Sequence, residues 1–152
     1  MSAGRDPQGR DDGTDLMPDH IRARLLANGA AEAGADPVPV VKFFNPCGAG
    51  TWLITEMMAD EPGILFGLCD LGMECPELGT VLLSELQSVK GLLGLGIERD
   101  LWFRPRFTLA AFAEAAISLG RITEDERELA AAARRLGLPD NPELPPDFAA
   151  VT

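Results

Sequence analysis

The chain has no tyrosine, one histidine (His20) and three cysteines, and its basic residues are outnumbered 13 to 24 by acidic ones. Each shortage removes a class of chemistry. A formal charge of −11 opposes nonspecific attachment to nucleic acid or to an anionic membrane surface. A serine or cysteine nucleophile would have to use His20 as its base, which lies beside the polar, glycine-rich N-terminal leader, and no G-x-S-x-G elbow is present. Cys47, Cys69 and Cys75 are odd in number and lack C-x-x-C spacing, so neither a disulfide framework nor a closed zinc site is expected. The expected thiols are free, as in a reducing cytoplasm. No apolar run reaches the length of a membrane span, and the opening "MSAGRDPQGRDDGTDLM" has no apolar core of a signal peptide. No cofactor and no metal are expected.

What is present is a 152-residue chain, 46% hydrophobic, long enough for one self-supporting core. Residues 1–15 read as a disordered leader, residues 16–137 as one domain, and 138–152 as a proline-rich tail. "DHIRARLLAN" (19–28) predicts a short helix with Asp19 as its N-cap and Ile21 and Leu25 on one face. Four β-branched or aromatic runs follow at 38–44, 51–58, 64–72 and 80–83. In the second, Trp52, Ile54 and Glu56 alternate with Thr51, Leu53 and Thr55. Their short connections predict antiparallel pairing in a meander.

"SELQSVKG" (84–91) predicts a small helix with Ser84 and Gln87 in capping-box spacing. Residues 92–107 predict a glycine-containing loop and one further extended segment. Two helices close the domain. Thr108 starts one, with Leu109, Phe112, Ala113, Ala116 and Ile117 as its apolar stripe and Gly120 as its stop. Thr123 and Glu126 form the capping box of the other. The fold class is therefore α+β: a twisted antiparallel sheet of four to five strands, helices packed on one face, and a C-terminal helical hairpin.

Two glycine stretches invite a phosphate reading. "NPCGAGTW" (45–52) is followed by a strand rather than a helix, and has no P-loop lysine, so Gly48 and Gly50 are assigned to a hairpin turn. "GLLGLGIERD" (91–100) fails the same test. Carboxylates beside the strands (Glu56, Asp70, Glu77, Glu85, Glu98, Asp100) could pair for acid–base catalysis, but solvated faces account for them in so acidic a chain. In "ERDLWFRPR" (98–106), Leu101 and Phe103 suit the core while Trp102 and the arginines suit the opposite surface. Tryptophan and arginine are the residue types that anchor protein interfaces. The candidate partner-binding set is Trp52, Glu56, Glu98, Arg99, Asp100, Trp102 and Arg104.

Four blocks, "VKFFNPCGAGTWLITE", "LFGLCDLGMECPELG", "LLSELQSVKG" and "GLGIERDLWFRP", resemble in order and spacing the domain-of-unknown-function family 2958 over residues 19–107. Residues 108–137 read as a helical extension of that core. One departure is Thr80, where the family usually carries an aromatic residue after "ELG". The resemblance supplies no catalytic residues. It implies a small cytoplasmic protein of bacterial plasmids, integrative elements and phages, among anti-restriction and other anti-defence genes. The expectation that follows is a non-enzymatic accessory protein acting by protein–protein contact. It would inhibit a host defence system, anti-restriction or anti-CRISPR-like, by presenting acidic groups to a basic nucleic-acid-binding protein. The rival expectation is a small-ligand binder or a carboxylate-dependent enzyme.

Overall fold

A computed structural model describes residues 8–31, 34–91 and 94–139. The chain runs α1 (Asp19–Gly29), β1 (Val41–Phe44), β2 (Thr51–Met57), β3 (Ile64–Asp70), β4 (Glu77–Leu82), α2 (Leu83–Ser88), β5 (Glu98–Arg99), α3 (Leu109–Leu119) and α4 (Glu126–Arg135). The strands form one antiparallel sheet in the order β4-β3-β2-β1-β5. The α+β class and the meander are as expected, and β5 is the further extended segment, laid against β1.

The helices are not confined to one face. Val41, Phe43, Trp52, Ile54, Met57 and Leu65 form one core with α1 and α2, while Leu53 and Leu68 form another with α3 and α4. The central strands are consequently apolar on both sides, which is why Trp52, Leu53 and Ile54 are buried in succession.

A bulge in β2 corrects the expected alternation. Ile54 opposes Gly67, but Glu56 opposes Phe66, so Thr55 is an extra residue. Met57, and not Glu56, therefore shares the face of Ile54. The bulge is held where the Asn28 side chain at the end of α1 donates to the Thr55 carbonyl at 2.7 Å. Across it, β3 presents Gly67, where a Cβ would collide with the Leu53 carbonyl.

Local signals differ at several helix ends. Pro18 takes the cap position of α1 and Asp19 lies in its first turn. Leu82 precedes α2 with no side-chain cap, so the Ser84–Gln87 box is not formed. Thr108 stands at the cap of α3 without a side-chain bond, and Gly120 ends that helix at φ 78°. Asp125 caps α4 by accepting from the Arg127 and Glu128 amides, displacing the box expected from Thr123. Ile117 leaves the expected stripe and is 63% exposed, while Ala111 and Ala115 join the core because α3 lies between the sheet and α4.

The leader also departs from expectation. Residues 1–7 lie outside the described residues, but 11–15 are placed along the β5 edge. The Arg99 amide donates to the Gly13 carbonyl at 2.8 Å, and Leu16 and Met17 are buried with α1. This segment covers one end of the sheet and, among the described residues, leaves β4 as the other edge. Of the expected tail at 138–152, residues 140–152 lie outside the described residues, and Leu138 packs on the α3–α4 core.

Candidate functional site

Residues 98–104 form a platform fixed from several sides. Glu98 and Arg99 pair with Phe44 and Phe43 of β1, and the Asp100 amide donates to the Lys42 carbonyl at 2.9 Å. Asp100 then stops the strand. Its Oδ1 accepts the Trp102 amide at 2.9 Å, an Asx turn that reverses the chain. Arg104 braces the same turn, donating through Nη1 to the Leu101 carbonyl at 3.2 Å and the Phe103 carbonyl at 3.0 Å. Phe103 is buried against Phe112 of α3, their ring centroids 6.4 Å apart. With its neighbours held, Trp102 projects from the apex at 85% exposure.

Lys42 links this platform to the connection that leads into α4. Its Nζ lies 2.6 Å from Glu124 Oε2 and 3.4 Å from Asp100 Oδ2. Burial works against the ammonium, but the Glu124 hydrogen bond and charge, with those of Asp100, outweigh it and hold the Lys42 pKa above the usual 10.5. Asp100 is thus engaged on both oxygens.

Arg99 is 7% exposed. Its Nη2 meets Asp11 Oδ2 at 2.5 Å, and its Nε donates to the Asp15 carbonyl at 3.0 Å. It ties down the leader and is not a surface group. Trp52, 8% exposed, belongs to the core beside α1. Glu56 is half-buried on β2, two strands away from β5. Glu98 is half-buried and faces a separate hollow with Gln87 and Lys90. Of the seven candidates, the structure brings Arg99, Asp100 and Arg104 to one pocket, with Trp102 on the loop that forms its rim.

That pocket measures about 310 Å³ and opens between α1, the start of β1 and the 99–104 loop. His20 and Arg24 of α1 line it, with Asp11, and Ile21, Val41, Leu101 and Phe103 supply apolar wall. His20 and Arg24 escape sequence reasoning because they lie far along the chain from Arg104. The only local signal was their i, i+4 spacing on α1, which places them on one face.

The other chemistry considered resolves into structure. Asp70 is buried with Oδ1 accepting the Gly72 amide and Oδ2 the Ile122 amide, each at 2.9 Å, so it fastens the β3–β4 loop and the α3–α4 connection to the sheet. Gly50 closes the 45–50 hairpin at φ 134°, with its carbonyl accepting the Asn45 amide at 3.0 Å. Gly48 is not at positive φ. Cys69 is half-buried, and burial followed by the charge of Glu77 pushes its thiol pKa up. Among the described residues no group of three or more His, Cys, Asp or Glu side chains could hold a metal ion. No described helix is long and apolar enough to cross a membrane.

No curated protein and no solved structure matches the chain. A family match covers residues 16–123, which takes in α3 beyond the expected 19–107 and stops before α4. The chain belongs to the family described as Protein of unknown function (DUF2958).

Proposed function

We propose that this protein is a non-enzymatic protein-binding module anchored by Trp102, working in the bacterial cytoplasm as an accessory factor of a mobile element. Its partner is a basic, nucleic-acid-binding component of a host defence system. The observation that carries the binding role is an indole 85% exposed on a turn braced by Asp100 and Arg104. A large aromatic on a braced turn costs little backbone ordering on binding and gains its full apolar burial. The mobile-element setting rests on the family resemblance, and the basic partner on the −11 charge.

The geometry alters how charge would act. Glu98 is half-buried and Asp100 is held by Lys42, so neither is a prominent contact carboxylate. Steering then comes from the chain's overall field, and anchoring from Trp102. The test is affinity capture from host lysate with the native chain and Trp102→Ala in parallel, followed by association kinetics of the recovered partner at low and physiological salt. Loss of the partner with Trp102→Ala, together with association slowed by salt, supports the reading. Equal capture by both chains refutes it.

A further inference from the structure

We propose that β4 takes up an extended segment of a basic partner protein as a further antiparallel strand, with alternate apolar side chains of that segment set beside Leu78, Thr80 and Leu82. This does not rest on Trp102, since β4 and the platform at β5 stand at opposite ends of the strand order. β4 pairs with β3 in an unbroken register and, among the described residues, with no other strand. The Leu83 amide donates to the Gly63 carbonyl at 2.9 Å, which extends that register by one pair. Hydrogen-bonding direction alternates along a strand, so Glu77, Gly79 and Val81 turn their backbone groups toward β3. Those of Leu78 and Thr80, and the Leu82 amide, point outward from the sheet. Devices that blunt an edge are missing here: no proline, lysine or bulge interrupts residues 77–82.

The side chains and charges around this edge select the occupant. Leu78 and Thr80 stand opposite Leu68 and Phe66, which pack in the α3–α4 core, so with Leu82 they share that face of the sheet. All three are exposed. An added strand sets every second side chain beside them, and apolar residues at those positions would extend the core outward. Residues 43–89, which include β2, β3, β4 and α2, contain seven Asp or Glu and no Lys or Arg. Glu74 and Glu77 are exposed at one end of β4, and Glu61 and Glu85 at the other, while 78–83 are uncharged. Lysine or arginine at both ends of the incoming segment meets these carboxylates, whereas a second copy of this chain would bring a like set against them.

The test is an amide chemical-shift titration of the full chain with acetyl-Lys-Lys-Val-Thr-Val-Thr-Val-Lys-Lys-amide. One control peptide carries glutamate in place of every lysine. Another carries N-methylvaline at the centre, which removes the N–H directed at the Thr80 carbonyl. Saturable shifts centred on 77–83 are expected with the lysine peptide, and binding at least about tenfold weaker for each control. Thr80→Pro removes only an outward amide and should weaken the lysine peptide by a similar factor. Absence of saturation, shifts centred on 98–104 instead, or equal binding of the lysine peptide and either control overturns the proposal on the native chain alone, even if the variant fails to fold. Sedimentation of the peptide-free chain should show a monomer. A dimer that Thr80→Pro dissociates would give the edge to a second copy and overturn the basic partner.

Discussion

Replacing Arg99 by methionine tests whether the N-terminal segment is part of the fold. Methionine keeps most of the aliphatic volume and removes the guanidinium, which in the native chain meets Asp11 at 2.5 Å and the Asp15 carbonyl at 3.0 Å while 7% exposed. The Asp15 carbonyl loses a charge-assisted donor, worth about 1.5–3 kcal/mol when the partner is charged. The Asp11 carboxylate is 39% exposed and can rehydrate, so its pairing adds no more than about 1 kcal/mol. The Arg99 backbone bond to Gly13 survives the substitution. The expected cost is therefore about 1.5–4 kcal/mol, a fall in melting temperature of roughly 3–16 °C for a domain of this size. Asp11→Asn, which retains an acceptor oxygen, should cost about 1 kcal/mol or less. Chemical denaturation of both variants reads the difference. Unchanged midpoints for Arg99→Met would refute the docking of residues 11–15, and would return Arg99 to the set available for partner contact.

Two further perturbations probe the neighbouring structure. Gly50→Val should destabilise by about 1–3 kcal/mol through backbone strain at φ 134°, with added crowding against the Trp52 ring, whereas Gly48→Val should be nearly neutral in a denaturant melt. Equal effects at the two positions would contradict the hairpin geometry. The raised pKa of Lys42 implies stabilisation fully present below the usual 10.5 and lost as pH rises through the higher folded value. The stability gap between the native chain and Lys42→Met should thus stay constant through neutral pH and shrink only above about pH 10.5. A gap that closes between pH 6 and 8 would show that another group governs it.

Much of this fold is legible in the order of residues. The β-branched runs, their short links and the apolar stripes of the last two helices give the meander and the helical pair. What is not legible is where spacing alone carries no signal. A period of two cannot reveal that Thr55 is surplus, because the bulge is defined by pairing with β3. The runs containing "TWLI" and "ILFGLC" already carried the sign of burial on both faces, since alternation is lost where both sides are covered. The leader reads as disordered because Asp11, Gly13 and Asp15 are polar or small; their order comes from Arg99, far along the chain. Trp102 and Arg104 were visible as candidates, but the charge around them was not. The overall acidity hid a pocket whose arginines come from α1 and the 99–104 loop.

The claim that the 98–104 platform exists to present Trp102 is tested most directly by the dissociation rate of the captured partner from Trp102→Ala, measured beside the native chain. A buried aromatic anchor carries about 2 kcal/mol or more, so dissociation should quicken by roughly 30-fold or more while association changes little. Equal dissociation rates, with the variant folded to native stability, would contradict the account.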